Sequence, residues 1–213
     1  RTIQPMRILQ LNIENVDTVV EEVLQVLRSG GVILYPTDTL YGLGADAFSD
    51  FAIDKVYAIK ARERGKPVYA VVENITVAET YGEVTETART LAEKFLPGPL
   101  APVLQKKQGI EGGIARGMDT LGIRIPNHAF CLALAQKFGK PYTTTSANIA
   151  GKLPERSVDH ILEQLGEGAS FIDLVIDGGE VKDTTPSTIV DVSSATPAVI
   201  REGAILSSQI FSA

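Results

Sequence analysis

The sequence predicts one α/β domain of α+β character, a mixed β-sheet with flanking helices, on three observations. Its 213 residues are 44% hydrophobic and 22% charged, the values of a globular chain that buries a sizeable core. Short apolar runs of strand type are interspersed with amphipathic helical segments along the whole length. Neither an internal repeat nor a low-complexity linker divides the chain. We therefore expect one domain over residues 1–206, followed by a flexible C-terminal tail at residues 207–213.

The first half of the chain predicts helices and strands in the following order. Apolar spacing indicates a helix over residues 16–29, ended by Gly30 and Gly31. The run GVILYPT predicts a buried strand, and DTLYGLGADAFS a loop. Ser49 or Asp50 is expected to cap a second helix that runs into the basic stretch KARERGKP. The run VYAVV then predicts another buried strand.

The second half continues the mixture. VTETARTLAEKF predicts a helix ended by LPGPL, and APVLQ a strand. The glycine-rich loop GGIARGMD leads to a strand in LGIRIP and a helix in HAFCLALAQKFG, with Gly139 as its C-terminal cap. KPYTTTSAN is typical of a strand and turn, SVDHILEQLG of a capped helix and FIDLVIDGG of a strand. STIVDV and PAVIRE predict a closing pair of strands.

Charge and cysteine content exclude some classes of protein. The net charge of −6 gives no broad attraction to nucleic acid or to an anionic membrane, so a polyanion would need a local basic patch. No segment is apolar over a membrane-spanning length. The single cysteine, Cys131, cannot form an internal disulfide, and Cys/His clusters of zinc spacing are absent. We expect a cytoplasmic protein without a protein-held metal or a membrane contact.

The stretch KARERGKP carries cations at Lys60, Arg62, Arg64 and Lys66. Residues two apart share one side of an extended chain but not of a helix, so the four line one edge only if the helix ends near Lys60. Either a bound phosphate or ordinary hydration accounts for such a cluster. Walker A and G-x-G-x-x-G patterns are both absent, so a triphosphate would have to be bound in another way.

Polar residues at strand ends form the other candidates. Thr37 follows an apolar strand, where α/β sheets place ligand-contacting loops, although a simple turn explains it equally. The run TTTSAN supplies hydroxyls up to Ser146 and the amide of Asn148, but threonine also simply suits a sheet. Arg124 alternates with isoleucines in LGIRIP. It faces either water or, if covered, a carboxylate or phosphate partner.

Taken together and in order, seven stretches resemble the YrdC/Sua5 family, the L-threonylcarbamoyladenylate synthases. They are YPTDTLYGLGADA, KARERGKP, PGPLAPVL, LGIRIPNHAF, TTTSANIAGK, PSTIVDV and VIREGAI. The family's Lys-x-Arg and Ser-x-Asn signatures match Lys60/Arg62 and Ser146/Asn148. The resemblance covers about residues 13–205, and the chain is similar to the short, YrdC-domain-only form.

The resemblance implies a nucleotidyltransferase with a twisted mixed sheet and a large concave face. Its reaction would join L-threonine, bicarbonate and ATP, with Mg²⁺, into threonylcarbamoyl-AMP and pyrophosphate for N6-threonylcarbamoyladenosine (t6A) in tRNA. Downstream tRNA threonylcarbamoyl transferase proteins would receive the intermediate. The implied roles are catalysis and ATP binding for Lys60, Arg62, Ser146 and Asn148, ATP binding for Arg201, and threonine binding for Thr37, Arg124 and Ser187.

Two departures from the family pattern keep alternatives open. Glu63 stands where relatives often have proline, which would place a negative charge beside the phosphate site, and Ala150 stands where a serine is frequent. One alternative is a YciO-like paralogue with a different substrate. The other is an RNA-binding module that uses the basic concave face. An aromatic content of 6% and the acidic net charge disfavour RNA binding.

Overall fold

A computed structural model describes residues 6–212 as helices packed on two mixed β-sheets. The helices are α1 Val16–Arg28, α2 Asp50–Ile59, α3 Ile75–Ala78, α4 Glu86–Phe95, α5 Ala129–Phe138, α6 Val158–Leu165 and α7 Ser207–Phe211. The strands are β1 Ile8–Gln10, β2 Ile33–Pro36, β3 Tyr41–Gly44, β4 Tyr69–Val71, β5 Gly82–Glu83, β6 Leu100–Lys106, β7 Thr120–Arg124, β8 Tyr142–Thr144, β9 Leu174–Asp177, β10 Thr188–Asp191 and β11 Ala198–Arg201.

The two sheets meet at β3 and β8. One has the order β1-β9-β2-β3, the other β11-β10-β6-β7-β4-β8 with β5 added on β6. Leu43 N donates to Thr145 O at 2.9 Å, and Thr143 N to Ala45 O at 2.8 Å. Both sheets contain parallel and antiparallel pairs. The mixed sheet expected from the sequence is therefore present, as two parts joined by backbone hydrogen bonds.

A tyrosine-containing core lies under the sheet junction. Tyr35, Phe130 and Tyr142 are fully buried between the strands and helices α1 and α5. The hydroxyl of Tyr35 donates to Thr143 O at 3.0 Å and that of Tyr142 to Cys131 O at 3.0 Å. Burying a large apolar side chain contributes about 1.5–3 kcal/mol. Because the tyrosine hydroxyls also have partners, this core gives the strand ends above it a rigid base.

The basic stretch begins at the C-terminal end of helix α2. Ser49 caps its N-terminus, with Oγ accepting from Ala52 N at 3.3 Å, and Asp50 in the first turn favours the helix dipole. At the other end Ala61 has the left-handed φ of +47°, and Arg62 N donates to Tyr57 O at 3.0 Å. This closes the helix at Lys60, so the expected end of the helix is confirmed.

Elsewhere the predicted elements are confirmed except in two segments. Within DTLYGLGADAFS, expected to be a loop, residues 41–44 form β3, because glycines let it pack on the Tyr35 ring. A Cβ on Gly44 would lie 2.9 Å from Tyr35 Cε1. The segment expected to be a flexible tail contains α7, since Ile210 is buried in the core. Residues 1–5 and 213 lie outside the described part. None of the described helices has the length and apolar character needed to cross a membrane.

Candidate functional site

A cleft of about 670 Å³ opens at the ends of β2, β7, β8 and β10. Its lining contains backbone, hydroxyl and cationic groups and no aspartate or glutamate side chain. Such a lining favours anions. The structure brings all eight residues predicted from the sequence to this one cleft. They are Thr37, Lys60, Arg62, Arg124, Ser146, Asn148, Ser187 and Arg201.

The side chain of Lys60 points into the loop that follows β8. Its Nζ donates to Asn148 O at 2.9 Å, to Asn148 Oδ1 at 3.4 Å and to Ser146 O. Only 3% of the residue is exposed. Burial, and secondarily the nearby charge of Arg62, lowers the pKa of Lys60 to about 7. Its charge is therefore close to the point of titration at neutral pH.

The amide of Asn148 is also engaged within the protein. Its Nδ2 donates to Lys152 O at 2.6 Å and to Ile149 O at 3.1 Å. Oδ1 accepts from Lys60. The side chain of Asn148 is therefore used in contacts within its own loop. In contrast, the Ser146 hydroxyl lines the cleft and has no hydrogen-bond partner among residues 6–212.

Arg62 and Arg201 supply positive charge to the lining of the cleft. Arg62 Nη1 donates to Pro67 O at 3.3 Å, and Arg201 Nη2 donates to Ser187 O at 2.9 Å. Burial lowers the pKa of Arg201, which nonetheless stays protonated because a guanidinium titrates far above neutral pH. Each guanidinium keeps further N–H groups for an anionic ligand.

Arg124 is buried in the wall of the cleft and paired with a carboxylate. Its Nη2 lies 2.6 Å from Asp38 Oδ1, and the two side chains are 5% and 8% exposed. The guanidinium also donates to the Ser187 hydroxyl. Its Nε is buried without a partner among the described residues. A buried donor without a partner is costly, so Nε would donate at favourable energy to an oxygen atom that reached it.

The four cations do not line one edge, although the helix ends near Lys60 as that arrangement would require. Arg64 and Lys66 line a separate cleft of about 200 Å³, where Arg64 pairs with Asp54. Ala61 and Gly65 both have positive φ, so the chain turns twice instead of running extended. Glu63 is exposed and does not line the larger cleft. Its negative charge is therefore not part of the lining of the larger cleft.

The contacts of two further residues were not predicted, although Asp38 belongs with Thr37 and Thr39 to the polar run that follows an apolar strand. Asp38 follows Thr37 in the same polar run and fixes Arg124. Tyr69 is part-buried between the two clefts, and its ring packs on Gly122, where a Cβ would come within 2.2 Å of Tyr69 Cδ1. Asp38 could have been found by asking which carboxylate neutralises a buried arginine. For Tyr69, the only indication in the sequence is Gly122 in LGIRIP, which leaves room for a large side chain on the neighbouring strand.

The lining of the cleft, with hydroxyl groups and the guanidinium groups of Arg62, Arg124 and Arg201, suits an anionic ligand. The family model Sua5_yciO_yrdC, described as "Telomere recombination", matches residues 25–203. A Methanocaldococcus jannaschii relative is 39% identical over 200 residues, which are 94% of this chain and 93% of the relative. The chain belongs to the Sua5/YciO/YrdC family.

Further relatives bear the name threonylcarbamoyl-AMP synthase. That of Pyrococcus abyssi is 33% identical over 84% of this chain, and that of Bacillus subtilis 32% over 91%. This chain spans only 52% and 56% of their lengths. The crystal structure of P. abyssi Sua5 complexed with L-threonine has a TM-score of 0.86 at 30% identity, over 98% of this chain and 60% of that one. Escherichia coli YciO, with a TM-score of 0.84 and 24% identity, shares the fold.

Proposed function

We propose that this chain is a nucleotidyltransferase that forms threonylcarbamoyl-AMP, pyrophosphate and water from L-threonine, bicarbonate and ATP. The observation that carries the proposal is the convergence of eight signature residues in one cleft whose lining includes Lys60 and three arginines. Relatives named for this activity support the same reaction. We propose this activity for the present chain, although it spans only about half the length of those two relatives.

In the proposed reaction Arg124 binds the carboxylate of threonine, with Thr37 and Ser187 beside it. Ser187 already bonds the Arg124 guanidinium, so a carboxylate there would meet a prearranged donor set. The amine of threonine adds to bicarbonate with loss of water, which gives a carbamate. Holding this short-lived carbamate next to ATP replaces an encounter in solution by a step within one complex.

A carbamate oxygen then attacks the α-phosphate in line, and the bond to the β-phosphate oxygen breaks. Negative charge accumulates on the leaving pyrophosphate, where Arg62, Arg201 and the Ser146 hydroxyl are proposed to neutralise it. No protein nucleophile takes part. Mg²⁺ would enter with ATP and be held by phosphate oxygens and water, since the cleft lining offers no carboxylate.

The product is a labile mixed anhydride, so a tRNA-modifying threonylcarbamoyl transferase is the proposed class of partner. Donation to adenosine would yield t6A in tRNA. A cytoplasmic location, expected from the single buried cysteine Cys131, and an RNA contact by this chain both stay predictions.

The test is pyrophosphate release by purified protein with ATP, Mg²⁺ and bicarbonate, with and without L-threonine. We expect threonine-dependent release, lowered about 100-fold in kcat/KM by Arg62→Met. Arg124→Met is expected chiefly to raise the KM for threonine. Arg64→Met is the matched control, because Arg64 faces the smaller cleft and pairs with Asp54.

Absence of threonine dependence in a folded protein that binds ATP would overturn the proposal. It would favour a YciO-like paralogue acting on another carbamoyl acceptor. Equal losses in Arg62→Met and Arg64→Met would instead show that the phosphates do not lie in the larger cleft.

A further inference from the structure

The rim of the larger cleft includes residues 149–155, which form neither helix nor strand and which we call the rim segment. It follows the TTTSAN run and contributes to the cleft lining Ala150, Gly151, Leu153 and Pro154. Leu153 is 85% exposed, so its apolar side chain has a large area that a bound ligand would cover at favourable energy. The position of the rim segment therefore decides the shape of the cleft opening.

Gln164, on helix α6, holds the rim segment at three points. Its Oε1 accepts from Ile149 N at 3.1 Å, and its Nε2 donates to Leu153 O at 2.9 Å and to Glu155 Oε1 at 3.2 Å. A glutamine amide has two N–H donors and one acceptor oxygen. Both donors and the oxygen are therefore used, and one side chain joins the first and the last residue of the segment.

The other hydrogen bonds of the rim segment lie near its start. Ala150 N donates to Lys60 O, at the end of helix α2, at 3.0 Å. The backbone of Leu153, in contrast, has no hydrogen bond within residues 6–212 other than the one from Gln164. This glutamine is thus the contact that ties Leu153 to a regular element of the domain.

Helix α6 is a firm base for the glutamine. Ser157 caps its N-terminus, and Val158, Ile161 and Leu165 are buried in the core. Gln164 itself is half-buried and is not part of the cleft lining. It can therefore act on a ligand in the cleft only through the rim segment.

We infer that Gln164 is a positioning residue, which holds the rim segment in the arrangement that binds substrate. The inference rests on the proposed function for the identity of the substrates, ATP and threonine, and extends it to a residue outside the cleft. Without the glutamine amide the rim segment would occupy this arrangement only part of the time. The apparent affinity for substrate then falls in proportion to that fraction, while the bound complex reacts as before.

The first test is amide hydrogen exchange in ligand-free Gln164→Met, which keeps the length of the side chain and removes its amide. The amides of Ala150 and Lys152 keep their own acceptors, Lys60 O and Ile149 O, so their exchange reports motion of the segment and not the lost contact. Both should exchange at least about tenfold faster than in the wild type, while the amides of α1 stay unchanged. Unaltered exchange at both positions would overturn the inference.

The second test is pyrophosphate release with each substrate varied in turn. In Gln164→Met the KM for ATP or for threonine should rise about tenfold, while kcat changes less than about twofold. Glu163→Met, at an exposed neighbouring position of the same helix, is the matched control and should leave these constants unchanged. A role in global stability alone would lower kcat at unchanged KM, because less of the protein is folded, and that result would overturn the inference.

Gln164→Glu is a second variant and replaces Gln164→Met in both tests if the latter does not fold. It keeps the acceptor for Ile149 N but loses both N–H donors and brings a carboxylate against Glu155. Adding Glu155→Gln restores one donor and one acceptor between the two positions. The double variant should therefore have a KM at least about threefold lower than Gln164→Glu. Equal KM values in the single and the double variant would count against the positioning role.

These tests separate failure of the inference from failure of the proposed function. A wild type without threonine-dependent turnover refutes the function, while the exchange of Ala150 and Lys152 still decides the role of Gln164. Turnover with KM values that Gln164→Met leaves unchanged keeps the function and refutes the positioning role.

Discussion

Lys60 shows how one residue meets two opposing demands. Three oxygens of Ser146 and Asn148 favour the ammonium form of Lys60. Burial and the charge of Arg62 oppose this form and lower the pKa of Lys60 from 10.5 to about 7. In the unfolded chain the lysine has its ordinary pKa. The unfolded state therefore binds more protons than the folded state between pH 7 and 10.5, and in this interval stability rises with pH.

We predict that raising the pH from 7 to 9 changes the difference in unfolding free energy between wild type and Lys60→Met by about 2 kcal/mol in favour of the wild type. Below pH 7 the penalty for burying the charge is fully present, so the difference should level off there. Urea unfolding at a series of pH values measures it. Arg64→Met, which removes an exposed arginine, is the control and should show no such trend. A constant difference for Lys60→Met would mean that Lys60 remains charged at pH 9.

The sequence predicted which residues meet in the cleft better than it predicted their contacts. The eight candidates lie together because each belongs to a motif at a strand or helix end. The partners of Lys60 are mainly backbone carbonyls 86 and 88 residues away, and carbonyls have no sequence signature. The pairing of Asp38 with Arg124 was not predicted for a related reason, since it depends on burial of both side chains and not on their neighbours in the chain.

At the scale of elements, the end of helix α2 is held in a conformation that its residue type disfavours. Ala61 has φ +47°, and a left-handed non-glycine residue costs about 1–2 kcal/mol. With this turn, Arg62 lines the larger cleft while the side chain of Lys60 contacts the carbonyls of Ser146 and Asn148. We infer that the contacts of Lys60 compensate for this backbone cost.

Ala61→Gly should therefore raise the free energy of unfolding by about 1 kcal/mol, since glycine adopts this φ without a Cβ clash. Ala58→Gly is the matched control. It changes an exposed alanine inside the same helix and should lower stability by about 1 kcal/mol. Thermal unfolding followed by circular dichroism compares the two. If both variants lose stability equally, the left-handed turn carries no strain.

Elements with a clear periodicity were predictable, and those without it were not. The helices α1, α4, α5 and α6 have apolar faces, and their positions follow from the sequence. Strand β3 was missed, because Gly42 and Gly44 are turn-forming residues in isolation and act here as small contacts for the Tyr35 ring. Only the tertiary packing distinguishes the two roles.

On the scale of the whole molecule, the junction between two sheets creates the cleft. The sequence predicted a mixed sheet but not its division, since the pairing of β3 with the segment after β8 joins residues about 100 apart. Residues from both sheets line the cleft as a result, Thr37 from one and Arg124 from the other. The charge of the molecule is unevenly distributed, because a cleft lined by Lys60 and three arginines lies in a chain of net charge −6.

This charge distribution predicts how the protein behaves towards RNA. Non-specific binding depends on the release of counterions by many basic residues, and the acidic surface offers few positions for this. We expect unmodified tRNA to bind no more tightly than the non-specific range, with a Kd of about 10⁻⁴–10⁻⁶ M or weaker at physiological salt. Fluorescence anisotropy at two salt concentrations, with wild type, Arg62→Met and Arg201→Met, measures it. Tighter, salt-sensitive binding that both substitutions weaken would show that the cleft face binds RNA, and would favour the RNA-binding alternative if ATP turnover were absent.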